Sequence, residues 1–251
     1  MLKYIITLAL FLLFGMSYCQ TQINVYDDFE SPGLSKIWRT NRMVAGAFEI
    51  QSQIKREGQN AAKISIKTGD VLEKGVNKNL DSERDELLEA RSLMSKEGVK
   101  YEFQFSMFLP SDFPIVSTRL VIAQWKQYCQ NDGLCSDDSP VIALRYVSGR
   151  LFITLQTDTG RTTLYELKDE IRNRWLDFKF QIRFSKLDNG EITAFLNNNE
   201  IVHFNGITSY SEKHGYPSDN KYYFKMGLYR DVMPAPMTIY IDEYRKREIV
   251  E

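Results

Sequence analysis

The chain has 251 residues, 43% of them hydrophobic and 26% charged, with 32 Lys+Arg against 33 Asp+Glu. So even a balance gives no global basic field, which argues against a general nucleic-acid binder and leaves any polyanion to a local cluster of cations. Three cysteines and two histidines are too few for a zinc framework, so no metal or cofactor is expected.

The chain opens with Lys3, an apolar run over residues 4–16 and then Ser17-Tyr18-Cys19. Small residues at 17 and 19 fit a signal-peptidase site, and the run is too short to span a bilayer. Residues 1–19 are therefore expected to be a cleaved secretory signal; the bulk of Tyr18 argues against a lipid anchor on Cys19. No other stretch is apolar enough for a membrane span. The mature chain, residues 20–251, is then secreted or periplasmic and of single-domain size. Losing Lys3 from 32 cations leaves 31 against the 33 acids.

Strand signals dominate from there on. Residues 25–30 form a short strand before the turn Ser31-Pro32-Gly33, and residues 48–51 and 61–67 alternate around a turn at 56–60. Residues 84–91 fit strand or helix equally. Further strands are predicted over 99–109, 120–126, 141–147, 151–156, 162–167 and 174–184, the last the most strongly alternating. A hairpin joins 191–196 to 201–204 through Asn197-Asn198-Asn199-Glu200. Strands over 221–230 and 237–244 close the chain. A dozen short strands with turn signals every ten or so residues predict an all-β fold, a β-sandwich or jelly roll, as one domain.

Cys129 and Cys135 flank a short polar loop with Asp132-Gly133 at its centre. In an oxidising compartment this reads as a disulfide. Asp132, Asp137 and Asp138 are more simply a solvated acidic loop than a calcium site.

Three stretches carry polar residues where a scaffold needs none. In Tyr223-Phe224-Lys225-Met226-Gly227-Leu228-Tyr229, an apolar face of Phe224, Met226 and Leu228 backs a face of two phenols, an ammonium and a glycine. In Gln124-Trp125-Lys126, the amide and the ammonium share one face. In Arg84-Asp85-Glu86-Leu87, Arg84 and Glu86 share a face if the segment is extended. Together the three resemble the Arg-(Ser/Thr)-Glu-Leu, Gln-x-His and Tyr-Phe-Lys-x-Gly-x-Tyr motifs of the jelly-roll polysaccharide lyases, the group of alginate, glucuronan and ulvan lyases and heparin lyase I. The third match is the most specific. Lys126 stands where many relatives have histidine.

The resemblance implies a concanavalin-like β-jelly roll acting as a carbon–oxygen lyase on a polysaccharide, with ulvan- or glucuronan-like algal polymers as the expected substrates. A uronate lyase removes the proton on C5, next to a carboxylate, and expels the 4-linked oxygen. Arg84, Gln124 and Lys225 are candidates to neutralise that carboxylate, each such donor being worth roughly a hundredfold or more. Tyr229 is the candidate to protonate the leaving oxygen, a positioned acid or base contributing about 10² to 10⁴ in rate. Lys126 either abstracts the proton or binds an anion, and in the latter case Tyr229 does both jobs. Glu86, Tyr223 and Arg230 complete the expected substrate contacts, with His214 in the preceding loop as a supporting candidate. Gly227 is read as leaving room for the sugar.

Partners beyond an anionic poly- or oligosaccharide are not expected: no nucleic acid, no membrane, a monomer. Two rivals share the fold. A carbohydrate-binding module needs aromatic platforms but no phenol beside Arg, Gln and Lys. A jelly-roll glycoside hydrolase needs paired carboxylates about 5–10 Å apart, and no Glu-x-Asp-x-x-Glu segment is present. A third variant keeps the elimination but expels water from a terminal uronate, which would make a dehydratase.

Overall fold

The computed structural model describes residues 22–39, 42–71, 73–74, 77–78, 81–129, 135, 139–217 and 219–250. The expected leader, Cys19 included, lies outside these residues, as do Asp132, Asp137 and Asp138. In chain order the strands are β1 (Asn24–Asp27), β2 (Trp38–Arg39), β3 (Phe48–Gln51), β4 (Ala61–Ile66), β5 (Glu73–Lys74), β6 (Asn77–Lys78), β7 (Ser82–Glu89), β8 (Ser95–Lys96) and β9 (Lys100–Phe108). They continue as β10 (Leu120–Gln127), β11 (Ile142–Val147), β12 (Arg150–Thr157), β13 (Gly160–Leu167), β14 (Trp175–Arg183), β15 (Glu191–Leu196), β16 (Asn199–Asn205), β17 (Lys221–Asp231) and β18 (Met237–Glu248).

Two antiparallel eight-stranded sheets form the sandwich. Sheet I runs β16-β15-β14-β9-β18-β4-β3, with β1 also on β18; sheet II runs β13-β12-β11-β10-β17-β7-β2, with β8 also on β17. The short ribbon β5–β6 stands apart from both. Turn chemistry fixes the hairpins. Asn197 and Asn198 take φ of 49° and 66°, and Ser148 and Gly149 take 52° and 81°, the left-handed pairs that two-residue hairpins need. Among the described residues no helix is long and apolar enough to cross a membrane.

The alternation read from the sequence sets which side of each strand is buried. Tyr222, Phe224, Met226 and Leu228 of β17 join Trp125 of β10 and Phe103, Phe105 and Phe180 of sheet I in one core. Trp125 sits 4.7 Å from Phe180 and 4.9 Å from Phe224, ring centre to ring centre. Burying this ring turns its neighbours Gln124 and Lys126 to the opposite side of sheet II. Residues 84–91 resolve as a strand, β7, followed by a 3₁₀ turn over Arg91–Leu93. Its inner face carries Glu83, Asp85 and Glu89 beside Leu87, all buried, so no hydrophobic period marks it.

Candidate active site

Register brings the three polar stretches onto one face of sheet II. On β17, Tyr229 lies opposite Arg84 and Gly227 opposite Glu86 of β7. On the other flank, Lys225 lies opposite Gln124 and Tyr223 opposite Lys126 of β10. Three of these side chains, Arg84, Gln124 and Lys225, converge on Glu86.

Glu86 is 1% exposed although it faces away from the hydrophobic core. Its Oε1 accepts from Gln124 Nε2; its Oε2 accepts from Lys225 Nζ at 3.1 Å and pairs with Arg84 Nε at 3.4 Å. A carboxylate only accepts, so the Gln124 amide must present its NH₂ here, and one of that group's two hydrogens is left for another acceptor. Burial pushes the Glu86 pKa up, but Lys225 and Arg84, with the hydrogen bonds from Lys225 and Gln124, outweigh it and hold the carboxyl below its usual range. Lys225 responds in the opposite sense. Burial first, then repulsion from Arg84 and Lys126, lowers it to about 7 despite Glu86. Arg84 and Lys225 meet one carboxylate, with Lys126 near enough to repel Lys225, a local positive field inside a nearly neutral chain.

Tyr229 is half-buried above this cluster. The Arg84 guanidinium lies 4.0 Å from its ring centre and that of Arg119 lies 4.8 Å away, distances at which cation–π attraction holds the ring in place. Arg119 is itself fixed by Asp231, at 2.7 Å. Tyr223 is half-buried and Lys126 8% exposed. Lys126 lies five positions along β10 from Val121, the residue opposite Tyr229, with a bulge between them, so roughly 15 Å or less of strand parts the two Cα positions. Both side chains are long, and they frame the cluster from its two ends.

Two expectations are corrected. Arg230 is not a substrate contact: it shares parity with Leu228 and turns into the sandwich, fully buried. There it pairs with Glu83 at 2.7 Å and donates to the carbonyls of Ala235 and Met233. Gly227 does not make room for a sugar. A Cβ on it would meet the Asp85 carbonyl oxygen at 2.3 Å and Glu86 Cα at 2.9 Å, and its φ is +138°. The neighbouring strand, not a ligand, requires the glycine. Glu86, an expected substrate contact, accepts from Gln124 and Lys225 and pairs with Arg84.

His214 ends a 3₁₀ turn, 3.3 Å from Asp158 and with its ring 5.2 Å from that of Tyr210. Tyr210 is in turn hydrogen-bonded, backbone to side chain, with Gln127, the residue after Lys126. Cys129 and Cys135 form a disulfide, with Cα atoms 6.1 Å apart. Among the described residues no group of three or more His, Cys, Asp or Glu is placed to hold a metal. A polar depression lined by Arg56, Ser106, Asp177, Lys179 and Glu243 lies on sheet I, away from all three motifs.

The sequence reading missed Arg119 and Arg145. Arg119 sits in a loop with no periodic signal. Arg145 was legible: Ile142, Leu144 and Tyr146 form the apolar face of β11, leaving Arg145 on the face that Gln124 shares.

The two sheets form a sandwich of the jelly-roll type with one cationic face. The sequence profile of the polysaccharide lyase family matches residues 29–245, so the chain belongs to that family and is a carbon–oxygen lyase acting on polysaccharides. Among solved structures, an endo-β-1,4-glucuronan lyase from the fungus Trichoderma reesei is similar with a TM-score of 0.68 and 15% identity, over 90% of this chain and 95% of that one. The alginate lyase AlgAT5, of polysaccharide lyase family 7, gives 0.56 and 16%, over 82% and 84%. The cellulose-induced protein Cip1 gives 0.56 and 11%, over 88% and 96%. At these identities the likeness shows the fold alone. No curated protein sequence is similar enough to match.

Proposed function

We propose that the chain cleaves a 4-linked, uronate-containing polysaccharide of glucuronan or ulvan type by β-elimination. The observation that carries this reading is the convergence of Arg84, Gln124 and Lys225 on Glu86 directly below Tyr229. In this reading the substrate carboxylate docks against Arg84, the free Gln124 N–H and the Lys225 field, which lowers the cost of the enolate dianion formed when C5 loses its proton. Lys126 takes that proton, the electron pair forms the C4–C5 double bond, and the C4–O bond breaks. Tyr229 gives its proton to the departing oxygen. The products are a shortened chain and an unsaturated uronate end.

The register supports Lys126 as a base separate from the acid, since it stands on β10 at the opposite end of the cluster from Tyr229. A secreted or periplasmic location is proposed with it, supported by the disulfide.

The test is a panel of glucuronan, ulvan, alginate and heparin-type polymers, assayed for ultraviolet absorbance of the unsaturated uronate. We expect product on at least one of them, and a loss of about 10² to 10⁴ in kcat for Tyr229→Phe with polymer binding retained. Absence of unsaturated product on every polymer would overturn the reading. Loss of water without chain shortening, seen by mass spectrometry, would replace it with the dehydratase.

A further inference from the structure

Beyond the Glu86 cluster, the same face of sheet II carries a second convergence of charge. Arg145 of β11 lies opposite Val121, and Val121 lies opposite Tyr229 on its other side. Arg145 and Tyr229 are thus two strands apart on one face, about 10 Å between Cα positions. The Arg145 side chain is half-buried. Its Nε donates to Thr154 Oγ1 at 3.1 Å, which aims the guanidinium without neutralising it. Arg161 of β13 is held the same way, its Nε donating to Gln156 Oε1 at 3.1 Å. Among the described residues neither guanidinium has a carboxylate partner, whereas nearby Arg119 is paired with Asp231.

Burial first, and then the charges of Arg161 and Arg119, push Arg145 down to about 10. A half-buried cation pressed by two others and answered by no acid is unfavourable for the free protein. The four arginines in salt bridges on sheet I and its loops (Arg56, Arg172, Arg183 and Arg247) each have an acid within 4.0 Å.

We propose that Arg145 and Arg161 form a second anion subsite, which receives a carboxylate or sulfate of the polysaccharide on a sugar beyond the one at Tyr229. The subsite rests on the proposed action on an anionic polysaccharide and deepens it. It grips the chain away from the reacting bond, sets its register and favours polymer over a single terminal sugar. The bond-breaking step does not pass through it.

Arg145→Gln and Arg161→Gln, each able to keep a polar contact with Thr154 or Gln156, test the assignment on glucuronan, on sulfated ulvan and on the same ulvan desulfated. KM is expected to rise roughly tenfold or more, the scale of one charged hydrogen bond, with kcat moving far less. A rise on all three polymers assigns the subsite to carboxylate; a rise only on sulfated ulvan assigns it to sulfate. Thermal stability adds a readout that a structural arginine would move the other way: Tm of Arg145→Gln should hold or rise. Unchanged KM on every polymer, or a fall in kcat matching the fall in kcat/KM, would overturn the subsite. If the wild type yields no unsaturated product at all, affinity electrophoresis in gels containing each polymer still decides it. Retardation lost in the two variants supports the subsite, and equal retardation refutes it.

Discussion

Lys126 is the residue on which the proposed chemistry turns, because it stands where the motif resemblance expects an imidazole, at one end of the cluster. A lysine that only binds an anion is replaceable by arginine, which keeps the charge; a lysine that abstracts a proton is not, because arginine stays protonated. Lys126→Arg is therefore expected to lose about 10² or more in kcat while KM changes little. Retained kcat would move proton abstraction to Tyr229. At this scale much of the site was legible in the sequence. Gln124, Lys225 and Tyr229 could be grouped because each sits at a polar position of an alternating segment, and Arg84 joined them only through its motif. The role of Glu86 could not, since one carboxylate answering three donors depends on strands 38 and 139 residues away. The same alternation should have removed Arg230, which shares parity with Leu228.

The element that positions the site is β7, and it is held from behind. Its outward Arg84 and Glu86 alternate with inward Glu83, Asp85 and Glu89. Glu83 pairs with Arg230 of β17, and Glu89 with Lys246 of β18 at 3.0 Å, all four side chains fully buried. Glu89 also accepts from the Tyr244 hydroxyl and from the Phe224 backbone N–H at 3.2 Å. These bonds join β7 to both sheets, so the strand carrying Arg84 and Glu86 cannot slide without breaking a buried ion pair. Glu83→Gln would leave the Arg230 charge uncompensated. The expected cost is about 3–5 kcal/mol, which calorimetry should read as a fall in Tm on the order of 10 °C. A shift of only a degree or two would mean that Arg230 is satisfied by the Ala235 and Met233 carbonyls. Such an element defeats sequence reading for a physical reason: its inner face is charged, and the cations that make this tolerable lie about 150 residues downstream. Strand β17, whose inner face is apolar from Tyr222 to Leu228, showed its period without help. Gly227 was singled out for the right oddity and the wrong cause, because the close approach comes from β7.

The whole molecule combines a near-zero net charge with one cationic face, and both properties have measurable consequences. Field from a local cluster is screened by salt. Raising ionic strength from about 0.01 M to about 1 M shortens the Debye length from roughly 30 Å to 3 Å, and KM for a polyanion should rise steeply over that range while kcat stays nearly flat. A flat KM would place the binding energy in uncharged contacts. Stability responds to pH through the buried acids. Asp85, behind the site, is fully buried and pushed up to about 8 by burial and by the neighbouring charges of Asp70 and Glu86, although the Val44 N–H bond opposes this. Its folded value lies above the unfolded one of 3.8, so the folded protein keeps a proton that the unfolded chain releases. The contribution is fully present below about pH 4 and is lost as pH rises to about 8, at up to about 1.4 kcal/mol per pH unit. Lys225, lowered to about 7 from 10.5, has the reverse slope, since the unfolded chain binds the extra proton between those values. The wild-type curve sums these opposing terms, but one substitution separates them. Asp85→Asn keeps an acceptor for Val44 and removes the titration. Its stability relative to wild type should climb between about pH 4 and pH 8 and level off above. Parallel denaturation curves across that window would mean that Asp85 is ionised in the folded protein.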